Sequence, residues 1–266
     1  MEKGRLALVT GASAGIGEAF ARLLGAKGCD LVLTARREDR LQRLAEDLRG
    51  RGVTVHVLTA DLAEPDAPAR LEAGLAALGR RVEILVNNAG YGLPGRYVDS
   101  AWADQAEFVQ VMVTAPAELA HRFAPAMVAR GYGRILNVAS LAGLAPGGPG
   151  ATLYAASKAF MVRFSESLHL ELRGTGVHVT AHCPGFTWSE FHDVTGTRDL
   201  VRRTTPRFAW QDAATVARTG WAAVEANEAV CVPGFVNKLL AAAAKVAPES
   251  LALAILARHG RRLRVV

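Results

Sequence analysis

Short, continuously apolar runs alternate with longer amphipathic ones along most of this chain, and no other feature limits its fold so strongly. Leu6–Thr10, Asp30–Ala35, Val53–Ala60, Glu83–Asn88, Gly133–Ala139, Val177–Cys183 and Ala229–Val232 predict strands. Most are apolar throughout rather than at every second position, as expected where helices cover both faces of a parallel sheet. Between them, Ile16–Lys27, Arg37–Arg49, Ala67–Leu78, Ala103–Arg130 and Ala155–Arg173 carry apolar residues at helical spacing. This βαβα rhythm predicts an α/β fold built on one doubly wound parallel sheet of about seven strands, with helices on both faces. No repeat, low-complexity segment or Ser/Pro linker interrupts it, so residues 1–266 read as a single domain.

Composition agrees with a large core. Of 266 residues, 50% are hydrophobic and 21% charged, which excludes a disordered chain. The three cysteines, Cys29, Cys183 and Cys231, are far apart and form neither a disulfide framework nor a CxxC metal pair. A reducing compartment and no metal site are expected. No apolar run approaches the roughly 20 residues of a membrane-spanning helix, and Met1–Arg5 leads into an apolar stretch too short for a signal peptide. The expected location is the cytoplasm. The net charge of +6 arises in residues 198–266, which hold 11 basic and 5 acidic side chains, most densely at Arg258, Arg261, Arg262 and Arg264. Such a tail could meet nucleic acid or anionic lipid. With no interleaved aromatics for base stacking it reads better as solvated, so neither partner is expected.

The first predicted strand feeds Thr10-Gly11-Ala12-Ser13-Ala14-Gly15-Ile16-Gly17 and then a helix. Glycines let the backbone approach a pyrophosphate, and the helix N-terminus favours its charge. This position makes the turn a dinucleotide site on a Rossmann-type sheet, with strand order 3-2-1-4-5-6-7. The second strand ends Thr34-Ala35-Arg36-Arg37, without the carboxylate that would bind a ribose 2′-hydroxyl. Arg36 suits a 2′-phosphate, and the Ser13 hydroxyl could add to it, so NADP(H) is expected over NAD(H), which stays admissible.

From these residues onward the pattern resembles the short-chain dehydrogenase/reductase family. The matching elements are Thr10-Gly11-x-x-x-Gly15-x-Gly17, Asp61-Leu62, Asn87-Asn88-Ala89-Gly90, Ser140, Tyr154-x-x-x-Lys158 and Pro184-Gly185. The resemblance implies a nicotinamide-dependent oxidoreductase acting on an alcohol or carbonyl, and a homo-oligomer, dimer or tetramer. It implies catalysis by Ser140, Tyr154 and Lys158, with Lys158 also gripping the nicotinamide ribose. Asp61 would meet the adenine or cap the following turn, with Leu62 beside it in the cofactor site, and Asn87 and Gly90 would shape the floor beneath the cofactor, with Ala89 between them; Asn88 either touches the cofactor or braces the turn. Pro184 and Gly185 would pass the nicotinamide amide, and Thr187 would touch that amide or the pyrophosphate.

The chemistry also follows from the residues themselves. Tyr154 and Lys158 lie four apart on a predicted helix and share a face. A nearby ammonium favours the phenolate, which would bring a tyrosine nearer the range needed to exchange protons. Tyr154 then serves as acid for carbonyl reduction or base for alcohol oxidation.

One position departs from the family. Aligning Glu107–Val113 with the helix before the serine strand puts Met112 where members carry an asparagine. A thioether accepts weakly and cannot donate. Either the lysine reaches water by another route in a working reductase, or the site binds cofactor without efficient redox turnover.

Segment 186–210, with little regular character, is the expected substrate lid. Phe186, Trp188, Phe191, Phe208 and Trp210, with Leu141, Leu144, Leu153 and Tyr91, either wall a pocket for a bulky, mostly apolar carbonyl compound or pack the lid down. Arg198, Arg202, Arg203 and Arg207 read as a solvated face. Residues 236–266 predict a helical extension in which Leu251–Ala257 is apolar on nearly every side, suited to burial against a neighbouring subunit or the lid.

Overall fold

The computed structural model describes residues 4–150, 152–191, 203 and 206–262. β1 (Leu6–Thr10) is buried at every position because strands flank it on both sides. It pairs in parallel with β2 (Asp30–Thr34) and β4 (Ile84–Asn87), Val9 facing Leu33 on one side and Val86 on the other. With β3 (Val55–Val57), β5 (Gly133–Val138), β6 (Val177–His182) and β9 (Val230–Cys231), the sheet runs β3-β2-β1-β4-β5-β6-β9, parallel throughout. This is the expected Rossmann-type order. The last place falls to β9 because two short strands, β7 (Thr187–Trp188) and β8 (Gln211–Asp212), pair with each other at the ends of a segment read as irregular.

Continuous apolarity has a direct cause. Successive side chains of β1 enter opposite layers: Leu6 and Leu8 join a cluster with Leu71, Leu75, Phe108, Leu119 and Met127. Ala7 and Val9 join one with Phe20, Leu24, Leu41, Leu48 and Trp221. The first cluster carries α3 (Ala67–Ala77), α4 (Trp102–Val109) and α5 (Ala115–Ala129), and α6 (Thr152–Glu171) borders it. The second carries α1 (Gly15–Ala26), α2 (Glu38–Arg49) and α7 (Ala213–Glu225). Both faces are dry, so neither can alternate with polar residues.

The single helix expected over 103–130 is divided. A π turn at Gln110–Thr114 separates α4 from α5, its width set by Ala115 N–H bonding to Gln110 O. Pro116 explains the break: it has no N–H to donate, and its ring would press on the Met112 carbonyl of a regular helix. Beyond the sheet, α8 (Phe235–Val246) and α9 (Glu249–Arg262) form the C-terminal pair. Among the described residues no helix is long and apolar enough to cross a membrane.

Candidate active site

The tips of β1 and β4 are locked by one hydroxyl. Thr10 Oγ1 donates to Val86 O at 3.3 Å and accepts from the N–H groups of Asn88 and Ala89, each at 2.9 Å. Asn88 Nδ2 donates to Thr10 O at 2.9 Å and Gly11 O at 3.3 Å, so its side chain braces the turn. A Cβ on Gly17 would lie 2.3 Å from Gly11 O and 2.5 Å from Asn88 Nδ2. Only hydrogen fits there. Gly17 therefore supports the turn from behind and does not line the cleft. At the start of α1 no side chain caps the first-turn N–H groups, leaving them as donors for a pyrophosphate.

A cleft of about 800 Å³ runs from this turn to the end of β5. Its wall includes Gly11, Ser13, Gly15, Ile16, Arg36, Asp61, Leu62, Asn88, Ala89 and Gly90 on the dinucleotide side. Ser140, Leu141, Tyr154, Lys158, Pro184, Gly185, Phe186 and Thr187 continue it. Asn87, read as part of the floor, is instead buried, with Nδ2 bonded to Pro116 O at 3.0 Å and Asn137 Oδ1 at 2.9 Å. It ties α5 to the sheet. Trp188 also leaves the cleft wall: it stacks on Trp210 at 4.2 Å between centroids. Asp61 accepts from Ala63 N–H at 3.0 Å, and its other oxygen is 3.9 Å from Arg36 Nη1.

The cationic end holds more than the sequence disclosed. Arg37 donates to Ser13 Oγ from Nη2 at 3.0 Å and Nε at 3.3 Å, and to Glu190 Oε2 at 3.0 Å. Arg40 Nη1 holds both oxygens of Glu190, at 2.5 and 2.6 Å. Arg40 and Glu190 carry no local motif; only the fold shows them as neighbours.

At the other end, Ser140 caps the turn Leu141–Gly143, its Oγ accepting from Ala142 N–H at 3.1 Å. That turn packs on α6 at Lys158, where a Cβ on Gly143 would lie 2.5 Å from the lysine carbonyl. Lys158 Nζ donates to Val138 O at 2.8 Å and stands 5.8 Å from the Tyr154 ring centroid. Burial pushes the Tyr154 phenol up, Ser140 opposing it. Desolvation of the phenolate sets this direction, and the lowering expected from the ammonium is not seen, with Nζ held on Val138 O and 5.8 Å from the ring centroid. Tyr154 thus holds its proton at neutrality. Burial pushes Lys158 down to about 8. Met112 reaches the cleft from the π turn, its Sδ 2.8 Å from where a Gly90 Cβ would sit.

Residues 5–198 match the short chain dehydrogenase family. The chain belongs to the short-chain dehydrogenase/reductase family. As a member it is an oxidoreductase of the alcohol–carbonyl type that uses a nicotinamide dinucleotide. It is 38% identical over 209 residues to sulfoacetaldehyde reductase 2 of Chromohalobacter salexigens, covering 76% of this chain and 82% of that one. Among solved structures it resembles a short-chain dehydrogenase from Sphingobium yanoikuyae in complex with NADPH, at 34% identity and TM-score 0.79, over 87% of this chain and 88% of that one. It also resembles a bulky-bulky ketone specific alcohol dehydrogenase from Comamonas testosteroni, at 32% identity and TM-score 0.75, over 88% of each chain.

The substrate side of this short-chain dehydrogenase/reductase is apolar. Leu141, Ala142, Ala145, Tyr91, Phe186 and Phe191 line it, and Leu256 reaches it from α9. The Phe191 ring lies 5.7 Å from that of Tyr154, and Phe186 packs on Trp210 at 5.5 Å. Leu144 and Leu153 face packed clusters instead of the cleft. Leu251, Leu253 and Ile255 of α9 are exposed in the single chain, whereas Leu256 is half-buried at the cleft. Arg198, Arg202 and the side chains of Phe208, Arg261, Arg262 and Arg264 lie outside the described residues. Within the described residues no cluster of metal-binding side chains occurs.

Proposed function

We propose that the protein is an NADPH-preferring reductase of bulky, mostly apolar ketones or aldehydes, able to run in reverse as an alcohol dehydrogenase. One observation carries this reading. A single cleft joins a Ser13–Arg37 anion site at one end, with Arg40 behind it on Glu190, to Ser140, Tyr154 and Lys158 at the other. A 2′-phosphate suits guanidinium forks, which offer paired planar donors. The relative in complex with NADPH and the relative specific for bulky-bulky ketones support the cofactor and substrate class. The leucine and phenylalanine wall supports the apolar substrate.

The pyrophosphate would rest on the α1 N-terminus, the 2′-phosphate on Ser13, Arg37 and Arg40 with Arg36 at the rim, and the nicotinamide ribose near Tyr154 and Lys158. When bound, the cofactor supplies the hydride for reduction. Ser140 holds the carbonyl oxygen by hydrogen bonding. Tyr154, protonated, gives its phenolic proton to that oxygen as the carbonyl becomes an alcohol, and Ser140 stabilises the phenolate left behind. Lys158, fixed on Val138 O, keeps positive charge beside that phenolate. The segment 186–210 acts as lid and the C-terminal helices complete the pocket through Leu256, all within one domain.

The test is NADPH oxidation over a panel of bulky ketones and aldehydes by wild type, Met112→Asn and Tyr154→Phe. Wild type should turn over at least as fast as Met112→Asn, whereas Tyr154→Phe should lose about 10²-fold or more. Turnover by Met112→Asn alone would replace this reading with a cofactor-binding protein whose proton exchange the thioether has shut off.

A further inference from the structure

Glu190 has no part in proton transfer, yet it lines the cleft with two arginines on its carboxylate. Its two oxygens lie 2.5 and 2.6 Å from Arg40 Nη1, and one is 3.0 Å from Arg37 Nη1. Arg37 in turn grips Ser13 of the Gly-rich turn. A carboxylate held this way presents an anion where guanidinium groups and a hydroxyl converge, the donor set a phosphate monoester needs. Arg40 and Arg37 hold its carboxyl below the usual carboxylate range, so it is ionised at neutral pH.

Its neighbours in sequence reach the other two functional points of the cleft. Ser189 sits over the turn at the head of α1, its Cβ 2.9 Å from where a Gly15 Cβ would be. Phe191 packs on Tyr154. Three consecutive residues thus touch the anion site, the pyrophosphate turn and the catalytic tyrosine. Consecutive Cα atoms are about 3.8 Å apart, so a shift of the Glu190 backbone that frees its carboxylate carries Ser189 and Phe191 with it.

We propose that Glu190 is a cofactor-selectivity residue: its carboxylate stands in for the 2′-phosphate of NADPH, and only a ligand bearing that phosphate displaces it and shifts Ser189–Phe191. The inference rests on the reading of NADPH as the preferred cofactor. A dianionic phosphate and a carboxylate cannot share the same arginine donors at hydrogen-bond distance, so one must yield. A ribose 2′-hydroxyl carries no charge and leaves the Glu190 pairs in place. A ligand shifts such an equilibrium only by its differential affinity for the two states, and the phosphate is the group that differs between the two cofactors. Glu190 is 42% exposed, so the released carboxylate returns to water without a buried charge.

The experiment measures calorimetric binding of NADPH, NADH, adenosine 2′,5′-bisphosphate and 5′-AMP to wild type, Glu190→Gln and Arg37→Ala. Tryptophan emission is followed in the same titrations. Trp188, two residues from Glu190 and stacked on Trp210, reports movement of the segment. Exposed ion pairs are modest, so Glu190→Gln should bind NADPH and the 2′,5′-bisphosphate about fivefold more tightly, with NADH and AMP within about twofold of wild type. In wild type the bisphosphate should shift the tryptophan emission and AMP should not. An equal change for phosphorylated and unphosphorylated ligands in Glu190→Gln, or weaker NADPH binding, overturns the proposal. The NADPH reading is judged separately: it fails if wild type binds NADH as tightly as NADPH and Arg37→Ala changes neither. The ratio in Glu190→Gln still decides whether Glu190 competes with the phosphate.

Discussion

His182 should make this protein acid-sensitive. It ends β6, paired to Val138 on one side and Cys231 on the other, immediately before the Pro184-Gly185 wall of the cleft. The ring is fully buried, edge-on to Phe20 at 6.1 Å and packed so closely on α7 that a Gly220 Cβ would lie 3.0 Å from it. Burial pushes its pKa down to about 4, and neither ring nitrogen has a hydrogen-bond partner among the described residues. The unfolded chain takes up this proton below about pH 6.5, while the folded chain refuses it until about pH 4. Stability is therefore full above 6.5 and falls as pH drops from 6.5 to 4, by about 3 kcal/mol in all. Between pH 7 and pH 5 the share is about 2 kcal/mol. His182→Leu keeps a buried side chain of similar bulk and removes the titration. Urea unfolding of both proteins at pH 7 and pH 5 isolates the effect, since every other titrating group is common to them. Wild type should lose about 2 kcal/mol more than the variant over that interval. Equal losses would refute the argument, because they would mean that the native protein accommodates the imidazolium.

Two further outcomes follow from the same contacts. Gly17→Ala forces a methyl against Gly11 O, backbone that must move, and against the Asn88 side-chain amide. It should cost about 1–3 kcal/mol of stability and weaken NADPH binding at least about tenfold, measured by denaturant unfolding and calorimetry. The ammonium of Lys158 is present below about pH 8 and lost above it. The kcat/KM for carbonyl reduction should therefore decline above about pH 8 in initial-rate profiles, and a flat profile to pH 10 would separate Lys158 from the proton step.

How much was legible depended on sequence distance. The inner strands β1, β2 and β4 are readable because each is buried on both faces, which forces nearly unbroken apolar runs. The Gly-rich turn was readable because Gly11 and Gly17 must be glycine for local steric reasons. Tyr154 and Lys158 were readable because four residues of helix bring them to one face. The π turn was missed although its cause, Pro116, was in plain view: a proline near the start of a helical segment also fits an ordinary continuation. Trp188 was placed on substrate because it is aromatic and follows Pro184-Gly185, whereas its stacking on Trp210 depends on β7 meeting β8.

Sequence alone therefore determined the layered α/β architecture and the position of the dinucleotide turn, since each is encoded in residues that interact locally or repeat at a fixed period, whereas Ser140 joined Tyr154 and Lys158 only through resemblance to the family. Tertiary structure alone decided what those parts face. Glu190 meets Arg37 and Arg40 across about 150 residues of chain, Leu256 comes back to the cleft from the far end of the molecule, and desolvation rather than the lysine governs the Tyr154 phenol. Burial and charge pairing are properties of the assembled neighbourhood, and no residue carries its neighbourhood in its own position along the chain.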